Sequence, residues 1–180
     1  MKQRKQIIYI VFITLTILLQ FLSTAINFVG IPITLSLIPI IIGGAMFGTA
    51  FATTLGLTFG ITVIIMVLLG LDPTGATMLQ ANPLITIFIC LFKGALAGFL
   101  SSIVYKSISN KKVAIISSAI TATLSNTISF LIVLFFFFDT SLSYIISILL
   151  SVNFLIELLT NTILSPYLLP LINKRRHKTL

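Results

Sequence analysis

Residues 33–71 read ITLSLIPIIIGGAMFGTAFATTLGLTFGITVIIMVLLGL, 39 positions without one charged side chain. As a single helix at ~1.5 Å per residue this run would reach ~58 Å, about twice the ~30 Å hydrocarbon core of a bilayer. It is therefore expected to turn once, within GGAMFGTA at 43–50, where glycine supplies tight backbone. Four further apolar runs lie at 6–28, 83–104, 113–138 and 142–172. One turn in the second run makes six transmembrane helices rather than five.

Charge placement tests that count. Lys2, Arg4 and Lys5 precede the first run, Lys106, Lys111 and Lys112 separate the third and fourth flanking segments at 83–104 and 113–138, and Lys174, Arg175, Arg176 and Lys178 follow the last. With six crossings all ten fall on one side, which the positive-inside rule makes cytoplasmic. Five crossings would split them between two faces. Both termini are expected in the cytoplasm, and the run after MKQRK is read as a retained first helix rather than a cleaved leader.

The composition agrees. The chain is 58% hydrophobic and 8% charged over 180 residues, against about 25% charged in soluble domains. It reads as one all-α membrane domain over residues 1–180, placed in the cell membrane. The net charge of +8 is a topology signal here and not a nucleic-acid footprint. One cysteine, Cys90, gives no disulfide framework or metal cluster, and His177 reads as solvated in the basic tail. A phosphate-binding loop, a metal-binding helix motif and a Ser/His/Asp set are all missing from the sequence, so no enzyme is expected and no cofactor within this chain.

Lys93 breaks the pattern. It stands in ICLFKGALAG at 89–98, roughly 15 Å into its run, where a charge costs at least a few kcal/mol and marks a site or a buried pair. Glu157, in NFLIELLTN, is the one acid at comparable depth. Asn153, Glu157 and Asn161 recur at i, i+4 and i+8 on one helix face, and Asn126 lies mid-run in LSNTISF. Two readings follow: a structural lock in which Lys93 pairs with Glu157, or the floor of an outward-facing ligand site. The loop GLDPTGATMLQAN at 70–82, with Gln80 and Asn82, is long for a connector and suited to fold over such a site. The link at 27–34 would form another wall, and Tyr144 a third. Gly44, Gly48, Ala52, Gly56 and Gly60 recur every fourth residue, with Gly94 and Gly98 on the next run. This stripe is spent inside the bundle or offered to another membrane protein.

Six helices in under 200 residues, with IPITLSLIPIIIGGAMFG, NPLITIFICLFKGALAG, SNT and NFLIELLTNTILSP along them, resemble the substrate-specific S components of energy-coupling factor (ECF) vitamin transporters, in the group that includes pantothenate and riboflavin members. The resemblance implies a receptor that captures a water-soluble vitamin near the outer face. Its ligand-binding residues would be Gln80, Asn82, Lys93, Asn126, Tyr144, Asn153 and Glu157. It also implies partners: a transmembrane coupling protein, docked on Gly44, Gly48, Ala52, Gly56 and Gly60, and two cytosolic ATPases that use ATP. The chain departs from the family in its first run, where FITLTILLQF replaces an alanine-every-fourth pattern. Lys93 would offset a carboxylate, which favours pantothenate, with riboflavin or another micronutrient as the alternative. A rival from another class is a self-sufficient secondary transporter using Lys93 and Glu157 as an ion or proton relay. Such proteins often carry inverted repeats, whereas here the polar residues gather in the second half.

Overall fold

A computed structural model describes residues 2–25 and 34–178. The elements are α1 (Lys2–Ala25), α2 (Leu37–Phe47), α3 (Thr49–Leu68), α4 (Pro73–Ala81), α5 (Pro83–Ser107), α6 (Lys111–Phe137), α7 (Leu142–Leu149) and α8 (Val152–Lys178). Among the described residues there is no strand. Five helices are long and apolar enough to cross a membrane, over Gln6–Thr24, Thr49–Leu68, Pro83–Ser107, Lys111–Phe137 and Val152–Ile172. Large apolar side chains stand exposed on their outer faces, among them Ile10, Leu18, Ile61, Phe88, Ile132 and Ile163, as a lipid solvent requires. This is an all-α, multi-pass membrane protein.

The long apolar run does break once, at Gly48, whose φ of 93° is open to glycine and strained for other residues. The break yields unequal parts. α3 has 20 residues, whereas α2 has 11, a rise of about 16 Å at 1.5 Å per residue and roughly half a crossing. Its Leu37–Gly44 portion is buried throughout. The expected link at 27–34 lies outside the described residues except for Thr34. The run expected at 142–172 is also divided, into α7 and α8. Ser151 caps α8 by accepting a hydrogen bond from the Phe154 N–H at 3.2 Å.

The helix ends that carry the three basic clusters in the sequence lie at one end of the bundle. Near the start of α1, Tyr9 stacks on Phe51 with ring centroids 4.2 Å apart and meets Phe47 edge-on at 5.2 Å. That places it beside the α2–α3 corner. At the same corner, the Lys106 ammonium near the end of α5 donates to the Thr49 hydroxyl at 2.8 Å. α6 and α8 run antiparallel: Asn161 donates to the Thr123 hydroxyl at 3.1 Å, Asn126 and Glu157 share a cavity on one side of that bond, and Ile115 and Leu169 share a core on the other, so α8 ends where α6 begins. The short helices α4 and α7 lie at the opposite end.

The small residues zip α3 to α5. A Cβ on Gly56 would fall on the Gly94 carbonyl, and one on Gly94 on the Gly56 carbonyl; Gly60 meets the Cys90 carbonyl, and Gly98 the Ala52 carbonyl. Gly44 faces Ala52 and Ser102. Of the two uses open to this stripe, the structure takes the internal one, because backbone-to-backbone approach on this scale leaves no free face. Gly44, Ala52, Gly56 and Gly60, expected as a docking surface, are all buried in this packing. Gly48 lies at the corner near the Lys106 ammonium, and its conformation alone accounts for it.

Candidate functional site: a capped cavity holding separated charges

Local rules build the end of the bundle opposite the basic clusters. Asp72 accepts a hydrogen bond from the Gly75 N–H at 2.9 Å, with Pro73 at the first helical position, so the sequence after Leu71 starts α4 at once. Asn82 does the same for α5, accepting from the Ile85 N–H at 3.2 Å ahead of Pro83. Ser141 caps α7 through the Tyr144 N–H at 3.3 Å. The segment expected to fold over a site is thus a short helix. Its Thr74, Gly75 and Met78 line a cavity of about 110 Å³.

The walls come from every neighbouring element. Phe59 and Val63 of α3, Cys90 and Lys93 of α5, and Asn126 and Phe130 of α6 contribute. Tyr144 of α7, Glu157 of α8, Gln20 of α1, Thr34 and Asp72 are also among them. Four of the seven expected ligand residues therefore meet here: Lys93, Asn126, Tyr144 and Glu157. The other three do not. Gln80 is exposed on α4, Asn82 is occupied as a helix cap, and Asn153 is buried away from the cavity, 3% exposed.

The expected pairing of Lys93 with Glu157 is not made. Among the described residues the Lys93 ammonium has no carboxylate within 4.0 Å. It lies instead over two ring faces, 4.9 Å from the Phe130 centroid and 5.7 Å from that of Phe59. For a half-buried ammonium such a contact is worth about 1 kcal/mol, which lowers the cost of its position without neutralising the charge. Glu157, 6% exposed, uses Oε2 to accept the Thr34 N–H at 3.1 Å, while its Oε1 has no hydrogen-bond partner. Asn126 Oδ1 is likewise buried without one. Lys93 and Glu157 thus line the same cavity without touching.

Several lining residues escaped the sequence reading. Gln20 had a usable signal, since Thr16, Gln20 and Ser23 form a polar face at i, i+4 and i+7 in an otherwise apolar helix, and all three are buried. Asp72 followed by Pro73 carried a usable helix-start signal as well. Phe59 and Phe130 had no distinguishing mark among 15 phenylalanines.

The two asparagines now separate. Asn126→Ala is expected to leave the thermal midpoint near that of the parent and to weaken ligand binding about tenfold, the worth of one hydrogen bond of ~1.4 kcal/mol. Asn153→Ala is expected to do the reverse. Thermal unfolding and ligand titration on both variants check this; equal loss of affinity in the two would place Asn153 at the ligand.

No protein-family model matches the chain, and no curated protein matches it.

Proposed function

We propose that this chain is the ligand-capturing membrane component of an uptake system, of the kind represented by the S components of ECF transporters. On this reading it takes a small water-soluble micronutrient bearing a carboxylate into the capped cavity. The observation that carries the reading is the half-buried Lys93 ammonium, set into a polar-floored cavity with ring faces but no acid against it. Intramembrane ionisable residues are costly and mark ligand or ion pathways. With the basic end of the bundle cytoplasmic by the positive-inside rule, α4 and α7 cap the cavity on the outer side, where a nutrient receptor needs its mouth.

Capture needs no energy, and the reading assigns ATP hydrolysis and release to a separate coupling protein and ATPases. Two measurements test it. The purified chain is expected to bind one member of a water-soluble vitamin panel, pantothenate and riboflavin included, at one to one without ATP. Vesicles holding the chain alone are expected not to concentrate that vitamin. Accumulation driven by an ion gradient in such vesicles would replace this reading with a self-sufficient transporter. A folded chain that binds nothing on the panel would remove it.

A further inference from the structure

The charges around the cavity do not balance for a simple anion. Its lining holds one cation, Lys93, and two carboxylates, Glu157 and Asp72. Asp72 is engaged at the rim, where it caps α4. Glu157 is at the floor, more than nine-tenths buried, and keeps one oxygen without a partner. Asn126 Oδ1, also more than nine-tenths buried, is a second acceptor with no donor. Buried polar and charged groups are ordinarily matched, because leaving them unmatched costs more than the contact itself is worth.

A ligand carrying only a carboxylate would satisfy Lys93. It would also bring a second negative charge toward Glu157 in a medium where like charges repel strongly, and it would leave both orphan acceptors empty. A ligand carrying only a positive group would satisfy Glu157 and oppose Lys93. Only a molecule with both charges answers every unmatched group. We propose that the ligand of this cavity is a zwitterion whose carboxylate meets the Lys93 ammonium and whose protonated nitrogen is received by Glu157 and Asn126. The absence of a direct Lys93–Glu157 bridge is then functional, since the ligand supplies the missing half of each pair. This inference rests on the capture reading and deepens it by naming the charge class of the ligand.

The test uses the purified full chain in detergent. It is titrated by calorimetry with 5-aminopentanoate and with pentanoate and pentylamine, which share its length and carry one charge each, beside the vitamin panel. The tightest ligand found is expected to carry both a carboxylate and a protonated nitrogen. Lys93→Met and Glu157→Gln are each expected to weaken it about 10- to 100-fold, the span of a charged hydrogen bond. Glu157→Gln should at the same time narrow the preference for the zwitterion over the plain anion. A tightest ligand that is a carboxylate without a positive group, pantothenate for example, would overturn the inference while upholding capture, the more so if Glu157→Gln leaves its affinity unchanged or raised. Failure of every compound to bind the folded chain would overturn capture, and the inference with it. The comparison on the unsubstituted protein decides the matter even where a variant does not fold.

Discussion

Gly56→Leu is expected to destabilise the folded protein severely. At this position the α3 and α5 backbones touch, and the first side-chain carbon would already coincide with the Gly94 carbonyl. The contact is reciprocal at Gly94 and repeats at Gly60 and Gly98, so no local rotamer change can make room. The helices must separate along their whole shared length. Overpacking a well-filled core costs typically 1–3 kcal/mol when side chains can yield; here only backbone faces backbone, and the cost is expected at or above ~3 kcal/mol. That is a large share of the 5–15 kcal/mol that stabilises a typical domain. In a membrane the loss is not offset by hydrophobic burial elsewhere, since lipid is as apolar as the core and close packing itself holds the helices together. The control is Thr54→Leu on the exposed face of the same helix, expected within ~0.5 kcal/mol of the parent. Yield of monodisperse protein and thermal midpoint read the difference. A Gly56→Leu protein as stable as the Thr54→Leu control would show that α3 and α5 are not packed as described.

Particular residues show which features the sequence could reveal. The break at Gly48 was legible because a 39-residue uncharged run must turn somewhere and glycine is the residue that takes φ of 93° without strain. The break before Ser151 was not, since Leu150 and Ser151 carry no glycine or proline mark and a serine cap competes with continued helix at similar energy. Conversely Pro166 and Pro170 sit inside α8 without ending it, as membrane helices tolerate. The half-length of α2 was hidden because its residues are as apolar as a full span. For the site, single charges in apolar runs announced Lys93 and Glu157, and helical spacing announced the stripe at Gly56 and Gly60. Spacing gives the face but not what the face meets. The stripe therefore admitted two uses, and Lys93 two readings, a pair with Glu157 or a ligand site, while its contacts with Phe59 and Phe130 were not among them. Pairing across helices depends on packing distances that no one-dimensional pattern encodes.

Glu157 joins the site to the fold, and its substitutions are expected to move stability in opposite directions. The start of α2 lies alongside the polar face of α1, and three contacts hold it. The Thr34 N–H donates to Glu157 at 3.1 Å, the Leu35 N–H to the Ser23 hydroxyl at 3.0 Å, and the Ser36 hydroxyl donates to Gln20 at 2.8 Å. Non-helical backbone within a membrane protein must be satisfied from inside the protein. Glu157→Ala strands the Thr34 N–H and leaves a void, and is expected to cost about 2–3 kcal/mol. Glu157→Gln keeps an acceptor for that N–H and removes a buried charge that no cation contacts, so stability is expected unchanged or raised by up to about 2 kcal/mol. Ligand binding is expected to fall in both, which decouples the two roles. Thermal unfolding without ligand, read beside ligand titration, measures them separately. A Glu157→Gln protein as unstable as Glu157→Ala would mean that the charge itself holds the fold, and the cation would then have to be Lys93. The double-mutant cycle with Lys93→Met distinguishes these cases. Coupling in the absence of ligand is expected below ~1 kcal/mol, because groups that do not touch add nearly independently. A double variant milder than either single one would establish the direct pair that the phenyl rings now displace.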